Sequence, residues 1–351
     1  MIRTVDRLAP ADLDGFDAVI DVRSPSEFAE DHVPGAMNLP VLSDAERAEV
    51  GTIYVQQSKF LARRIGAALV ARNIARHLET ALADRPGGFR PLVYCWRGGQ
   101  RSHAMATVLD QVGWPVTLLQ GGYRTWRRGI VEALYEGEPR WRVILLDGGT
   151  GSAKTDILNR LAVRGVQTLD LEGLAEHRGS LFGGLPGAAQ PSQKLFESRL
   201  HMALAAVDPA RPLVLEAESS KVGERMIPPA LWAAMTGAPR IELSVPLAAR
   251  AAYSAEAYGE WTRDRAALNA VLARLPVQGG RALRKTWGEM ADAGDWTALA
   301  ADLIERHYDP AYAKQGRGPA APLSVIPLAD LGEAERERAA DEIAALLADQ
   351  K

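Results

Sequence analysis

Short apolar runs, each closed by charge, glycine or proline, recur along the first third of the chain with stretches of helical period between them. Ala18-Val19-Ile20-Asp21-Val22-Arg23 reads as a strand ending in charge. Ser24-Pro25-Ser26-Glu27 then reads as a helix start, with a serine cap, an early proline and a first-turn glutamate. His32-Val33-Pro34-Gly35-Ala36 turns the chain into a strand at Met37-Asn38-Leu39-Pro40. A helix over 60–83, a strand at Pro91-Leu92-Val93-Tyr94, a helix over 102–112 and a strand at Val116-Thr117-Leu118-Leu119 complete the series. Such alternation predicts a parallel sheet with helices on both faces.

The pattern restarts after Glu138-Pro139-Arg140, the best candidate for a link. Trp141-Arg142-Val143-Ile144-Leu145-Leu146-Asp147 reads as a strand and Ile157-Leu158-Asn159-Arg160-Leu161 as a helix. Pro212-Leu213-Val214-Leu215-Glu216 reads as a buried strand that runs into carboxylates. Residues 247–258, 261–275 and 280–293 read as helices, and a charged, alanine-rich helix runs from about 330.

Composition narrows the class. The 351 residues exceed one typical domain, and 47% hydrophobic with 24% charged residues is an ordinary soluble balance. A net charge of −3 gives no global attraction for nucleic acid, so any such contact needs a local patch. The single cysteine excludes an internal disulfide and suits a reducing cytoplasm. Neither a signal peptide nor a membrane-spanning run is read from the chain. Only seven of the 41 basic residues are lysines, so a lysine inside a motif stands out.

That cysteine, Cys95, follows its strand directly in Tyr94-Cys95-Trp96-Arg97-Gly98-Gly99-Gln100-Arg101-Ser102. The loop carries the sulfur to a helix N-terminus, where amides and the helix dipole stabilise an anion. A free cysteine is more commonly a small buried hydrophobe, but two glycines and two arginines within six residues favour a reactive one. Cys95, Arg97 and Arg101 are the catalytic candidates, with Trp96, Gly98, Gly99, Gln100 and Ser102 forming the loop. Five residues separate Cys95 from Arg101, which is also the spacing of cysteine-dependent phosphatases that clamp an oxyanion with arginine. Asp21, Arg23 and His32 are read as structural ties.

In the second half, Gly148-Gly149-Thr150-Gly151-Ser152-Ala153-Lys154-Thr155 between strand and helix has the context of a P-loop. There backbone amides cradle phosphate, Lys154 reaches its oxygens and Thr155 can hold Mg²⁺. Ala153 occupies the position before the lysine that is normally glycine, which favours phosphate binding over efficient nucleotide hydrolysis. The glycine-rich Arg178-Gly179-Ser180-Leu181-Phe182-Gly183-Gly184-Leu185-Pro186 and the helix start in Gln190-Pro191-Ser192-Gln193-Lys194-Leu195-Phe196-Glu197 support a ligand site. Substrate-contact candidates are Gln193, Lys194, Glu216, Glu218 and Lys221, the carboxylates also being readable as ion-pair partners of Lys221. Arg281, Arg284 and Lys285, with Arg124, Arg127, Arg128, Arg140 and Arg142, could form a phosphate-backbone track, although solvated helix faces look the same.

Residues 5–130 resemble the rhodanese domain, on Asp21-Val22-Arg23, Glu27-Phe28, His32-Val33-Pro34-Gly35-Ala36, the Cys95 loop and Leu119-Gln120-Gly121-Gly122-Tyr123. In rhodaneses the cysteine carries sulfur or selenium as a persulfide-type anion held by loop amides. The expected fold is therefore α/β: a rhodanese-like parallel-sheet domain over 1–135, a P-loop NTPase-like domain over 140–310 and a C-terminal helical extension over 311–351.

Over 5–310 the chain resembles the tRNA 2-selenouridine synthase family. The supporting segments are Gly51-Thr52-Ile53-Tyr54, the Cys95 and Gly148 loops, Gly179-Ser180-Leu181-Phe182-Gly183, Gln190-Pro191-Ser192-Gln193-Lys194 and Glu216-Ala217-Glu218-Ser219. The resemblance implies a cytoplasmic transferase acting on a tRNA with a 2-thiouridine wobble base. Geranyl diphosphate first alkylates the sulfur, and selenophosphate then supplies the selenium that displaces it. No covalent cofactor is implied; Mg²⁺ and a selenophosphate-supplying enzyme are. The alternatives are a rhodanese-type sulfurtransferase or phosphatase coupled to a nucleotide-binding domain, and a non-catalytic anion- or tRNA-binding protein.

Overall fold

The computed structural model describes residues 1–179, 183–184, 189–275, 280–314 and 321–348. Ser180, Leu181, Phe182, Leu185 and Pro186 of the glycine-rich segment lie outside the described residues. Two compact units emerge, Met1–Gly137 with Ser192–Ala205, and Glu138–Pro191 with Ala206–Lys351.

The first unit holds strands β1 (Arg3–Val5), β2 (Ala18–Asp21), β3 (Met37–Asn38), β4 (Pro91–Tyr94) and β5 (Thr117–Leu119). All are parallel, in the order β1-β5-β4-β2-β3. Helices α1 (Pro25–Glu30), α2 (Asp44–Gln56), α3 (Lys59–Glu79), α4 (Gln100–Val112) and α5 (Tyr123–Val131) alternate with the strands. The fully buried β4 places Cys95 at its carboxyl end, where α4 begins. Helix α2 gave no periodic signal because Ile53 alone is buried along it.

The core of this unit contains an ion pair. Arg23 and Asp21 are 1% and 0% exposed and meet at 2.6 Å. Arg23 also donates to the Asp31 carbonyl at 2.6 Å and lies 4.2 Å from the Tyr123 ring centre. His32 stacks on Phe28 at 3.8 Å and bonds its carbonyl. Asp21, Arg23 and His32 are thus the structural ties expected of them.

The second unit starts with β6 (Arg142–Asp147), α6 (Lys154–Val163), β7 (Gln167–Leu169) and α7 (Leu171–Leu174). The chain then returns to the first unit as α8 (Gln193–Ala205). Buried Glu197 receives hydrogen bonds from Arg127 and, at 2.6 Å, from Tyr135. Buried Ser198 donates to Asp31 at 2.7 Å, and Tyr123 donates to the other Asp31 oxygen at 2.6 Å. A single link at 138–140 therefore does not separate the units. Leaving these polar groups without partners in the interior would be costly, which explains why α8 stays where it is.

The remaining strands are β8 (Pro212–Glu216), a small hairpin of β9 (Lys221–Val222) and β10 (Arg225–Met226), β11 (Arg240–Ser244) and β12 (Ser324–Pro327). The second sheet is parallel, in the order β12-β11-β6-β8-β7, with the P-loop strand central. Helix α9 (Pro229–Met235) leads to β11. Five helices follow it: α10 (Leu247–Ala257), α11 (Gly259–Arg263), α12 (Arg265–Arg274), α13 (Gly280–Ala293) and α14 (Trp296–Leu303). Trp261, Leu268, Leu272, Trp287, Leu299 and Leu303 bind this helical group into its own apolar cluster. A π-helical turn (Ile304–Tyr308), α15 (Asp309–Lys314), β12 and α16 (Glu333–Ala348) complete the chain.

The expected extension over 311–351 is instead part of the second unit. Its β12 pairs with β11, and Ala339, Ala340, Ile343 and Leu347 of α16 enter the core around α6. Arg160 of α6 bonds Glu333 at 2.8 Å, Arg164 just beyond that helix bonds Asp341 at 2.7 Å, and Arg336 bonds Asp156 at 2.7 Å. Ala339 and Ala340 lie on the buried stripe of this charged, alanine-rich helix. Among the described residues no helix is long and apolar enough to cross a membrane.

Arg23→Leu leaves Asp21 charged and buried, so it should destabilise the first unit by about 3–5 kcal/mol. Urea denaturation followed by intrinsic fluorescence checks this. A loss under about 1 kcal/mol would contradict the role assigned to the pair.

Candidate functional site

In the first unit the Cys95 sulfur accepts from the Gly99 amide and from the Ser102 hydroxyl, both at 3.2 Å. Cys95 is 3% exposed. Its carbonyl accepts from the Tyr123 amide at 2.8 Å, which ties the loop to the start of α5. Gly122, at φ 61°, makes that approach feasible. A Cβ there would lie 2.6 Å from the Gly98 nitrogen and closer still to the Cys95 carbonyl. Trp96 stacks on Tyr123 at 5.1 Å, and Gln100 opens α4 at the surface.

The two loop arginines differ. Arg97 is exposed and forms no ion pair among the described residues. Arg101 instead bonds Glu27 at 2.7 Å, and Arg47 approaches the same carboxylate at 3.1 Å. Burial opposes the charge on Glu27, but Arg101, the Ser24 amide and Arg47 outweigh it and hold the carboxyl below its usual range. Of the two arginines expected beside an anion on Cys95, Arg97 or Arg101, the second has its guanidinium engaged by Glu27 in this structure.

In the second unit the loop runs from the end of β6 to the start of α6. Lys154 Nζ folds back onto the Gly148 carbonyl at 2.9 Å, and the Thr155 hydroxyl donates to Glu172 at 2.7 Å. Ser152 donates to the Gly149 carbonyl at 2.8 Å. Arg250 of α10 donates to the Thr150 carbonyl at 2.9 Å and is braced by Asp309 at 2.6 Å. Ala153 adopts the left-handed conformation, φ 57° and ψ 31°, at the position expected for glycine. That geometry costs an L-residue about 1–2 kcal/mol, and the Ala153 methyl is packed into the core beside it.

The loop opens on a cleft of about 800 Å³. Two carboxylates converge there: a Cβ on Gly179 would lie 2.6 Å from Glu172 Oε1 and 2.8 Å from Glu218 Oε1. Burial and the neighbouring Glu172 push the Glu218 carboxyl up to about 7, against the pull of Lys154. Burial also raises Glu172, although the Thr155 hydroxyl and Lys154 oppose the rise. Burial disfavours the charge on Lys154, but Tyr312, Glu218, Glu172 and Asp147 outweigh it, so the amine stays cationic. Among the described residues no cluster of three or more His, Cys, Asp or Glu side chains stands ready for a metal. An apolar pocket of about 80 Å³ adjoins the cleft, and Thr150, Tyr258 and Tyr308 line both.

Residues 141–271 match the family profile described as the tRNA 2-selenouridine synthase AAA domain, and residues 6–128 match the rhodanese-like domain. The tRNA 2-selenouridine synthase of Aeromonas salmonicida is 34% identical over 329 residues, which cover 85% of this chain and 86% of that protein. That of Nitrosomonas europaea is 34% identical, covering 66% of this chain and 61% of its own length. The corresponding figures for Salmonella newport are 37%, 66% and 63%. The chain belongs to the tRNA 2-selenouridine synthase family.

Not every candidate residue reaches the site of this family member. Thr150, Gly151, Ser152, Lys154, Thr155 and Glu218 line the cleft. Glu216 does not: it is fully buried, accepts from the Leu171 amide at 3.3 Å, and burial with Glu172 and Asp170 nearby pushes its carboxyl well up. Lys221 is exposed on the β9–β10 hairpin and forms no ion pair among the described residues, so it neutralises neither carboxylate. Gln193 and Lys194 belong to the first unit, where they bond Glu197 at 2.9 Å and Glu30 at 2.6 Å. Gln190 clamps the Ala175 and Val222 carbonyls at 3.0 and 3.2 Å. Of the basic-track residues, Arg127 is spent on Glu197, and Lys285 pairs with Glu289 at 3.4 Å. Glu172, Arg250 and Tyr312 were missed. Asp170-Leu171-Glu172 directly after a short strand was the one available signal, since Arg250 and Tyr312 reach the P-loop from distant helices.

The Glu218 carboxyl titrates near 7 when folded and near its ordinary 4.5 when unfolded. The folded state therefore keeps a proton that the unfolded chain has lost, and stability falls as pH rises through this window. Glu218→Gln removes that cost. Its Tm should exceed that of the parent by a few degrees at pH 8 and converge with it below pH 4.5. Scanning calorimetry across this range is the check; an equal difference at all pH values would refute the assignment.

Proposed function

We propose that the chain converts 2-thiouridine at the tRNA wobble position to 2-selenouridine; its relatives are named tRNA 2-selenouridine synthases. One observation carries the reading. A chain of this family joins a cysteine whose sulfur accepts from the Gly99 amide to a P-loop whose Lys154 ammonium folds onto the Gly148 carbonyl.

In the first step the thiocarbonyl sulfur attacks C1 of geranyl diphosphate, the C1–O bond breaks and diphosphate leaves, with the N3 proton lost from the base. Lys154 and the loop amides stabilise the charge that develops on the departing diphosphate, and they need no nucleotide hydrolysis to do so. Thr155 and Glu172 present hard oxygen donors at this point and would hold Mg²⁺. The metal would supply further neutralisation of the leaving group. Alkylation matters because sulfur leaves C2 poorly as a bare thiolate and better as geranylthiolate.

In the second step selenium from selenophosphate adds at C2 and expels geranylthiolate. The Gly99 amide and Ser102 hydroxyl around Cys95 suit a soft anion bound against that loop. Selenium in selenophosphate is already at the selenide level, so no electrons change hands: it displaces geranylthiolate at C2, and water then takes the phosphoryl group as phosphate. A cytoplasmic setting, a tRNA partner and an enzyme that supplies selenophosphate complete the proposal.

The two steps should separate by mutation. Lys154→Ala is expected to lower geranylation by about 100-fold or more. Cys95→Ser should spare geranylation and block selenium incorporation. Nucleoside mass spectrometry of 2-thiouridine tRNA, incubated with geranyl diphosphate and then selenophosphate, reads both products. Loss of both activities in a folded Cys95→Ser protein would overturn this division of labour.

A further inference from the structure

The hairpin of α2 and α3 carries a surface that neither the cysteine loop nor the P-loop uses. Between Glu49 and Glu79 the chain has no Asp or Glu, yet it holds Lys59, Arg63, Arg64, Arg72 and Arg76. In a protein of net charge −3, such a run of one sign is a local departure. The turn of the hairpin also exposes large side chains: Val55 is 82%, Phe60 76% and Tyr54 44% exposed. Tyr54 closes the Gly51-Thr52-Ile53-Tyr54 segment, which the proposed chemistry leaves unassigned.

The helix fixes how these groups are arranged. Ser58 caps α3 by accepting from the Leu61 amide at 3.3 Å. Ala62, Asn73 and Ile74 turn inward, and Asn73 donates to the Val41 carbonyl at 3.1 Å and to Glu46 at 2.9 Å. Phe60, Arg63, Arg64, Arg72 and Arg76 lie on the exposed face, with only alanines between them. That stripe is about 24 Å long. Lys59, Arg63, Arg64 and Arg72 form no ion pair among the described residues, and Lys59 holds its ammonium 5.7 Å from the Tyr54 ring centre.

A row of cations with no carboxylate beside it suits a phosphate backbone, whose counterions it releases. Aromatic rings exposed at one end of the row offer faces on which unpaired bases stack. A duplex keeps its base faces covered, so the combination selects single-stranded RNA. Lipid fits this face less well. A helix lying on a membrane buries a broad apolar stripe, whereas here arginine and alanine alternate and large apolar groups occur only at the turn.

We infer that the α2–α3 hairpin docks single-stranded nucleotides of the tRNA, with bases on Tyr54 and Phe60 and phosphates along Arg63, Arg64 and Arg72. This docking rests on the reading of tRNA as the substrate and adds the surface that anchors it. It also supplies the local basic patch that the overall negative charge demands, on a helix outside the expected arginine track.

Fluorescence anisotropy with the full chain and a labelled tRNA transcript carrying a wobble uridine measures the contact. Arg63→Gln combined with Arg64→Gln should weaken binding at least about tenfold and lower the slope of log affinity against log salt by about 1.4. Tyr54→Ala and Phe60→Ala should each weaken it about fivefold or more with the salt slope unchanged, because a stacked base is lost and no charge. Phe60→Trp should retain parental affinity, and Phe60→Leu should not. Arg3→Gln combined with Arg7→Gln removes the same charge from another exposed region and should change affinity less than about twofold. Every substituted side chain is exposed, and thermal denaturation at the parental temperature verifies that each variant is folded.

Affinity equal to the parent in the arginine and aromatic variants overturns the docking surface, even if the parent modifies tRNA. An equal loss in the Arg3 and Arg7 control, or full affinity with Phe60→Leu, overturns it too. Sedimentation with phosphatidylglycerol vesicles that the same substitutions abolish, while tRNA binding is unchanged, assigns the face to lipid and overturns it as well. Binding that fails in the variants, with a parent that yields no 2-selenouridine by nucleoside mass spectrometry, supports the surface and overturns the functional reading instead.

Discussion

A parallel strand that feeds a helix leaves the first helical amides without backbone partners, and both candidate sites of this chain are built on that constraint. β4 delivers Cys95 to the start of α4, and β6 delivers the P-loop to the start of α6. In each case the unpaired amides and helix dipole create a place for negative charge without a dedicated cationic cluster. The chemistry then diverges through what occupies the loop. A sulfur sits within hydrogen-bond distance of one amide and one hydroxyl in the first, and a lysine is folded onto the loop carbonyl in the second.

Electrostatics around the P-loop are finely opposed. Glu172 and Glu218 crowd the same space as Lys154, and burial makes their charges expensive. Their presence keeps the amine cationic while the pair itself favours holding a proton. An arriving anion therefore meets a lysine already charged and a carboxyl pair that a cation or a proton can neutralise. Arg250 is committed to Asp309 and the Thr150 carbonyl, so it supports the shape of the loop.

Buried polar contacts perform a different task in the first unit. Arg23 links Asp21 on β2 to the Asp31 carbonyl and the ring of Tyr123, while the Asp31 carboxylate collects Tyr123 and Ser198. Burial lifts the Asp31 carboxyl above its ordinary range in spite of these donors. The network joins the segment before Cys95, the segment after it and the returning helix α8. The rhodanese-like sheet thereby depends on residues far along the chain.

The elements with strong local signals were legible from sequence alone. The apolar runs at 91–94 and 142–147, their glycine-rich continuations, and the residue types at Cys95, Lys154 and Thr155 determined two parallel sheets and the two strand-to-helix loops that carry the candidate residues. These are properties of neighbours in the chain, set by period, cap and turn chemistry. Tertiary structure alone decided which charges meet. It gave Arg101 to Glu27, sent Gln193 and Lys194 to the first unit, buried Glu216 and brought Glu172, Arg250 and Tyr312 to the P-loop. A charged side chain at the end of a strand or on a helix carries no local mark of its partner. The partner is selected by burial and by hydrogen-bond satisfaction across long separations, and those come into being only when the sheets and helices pack.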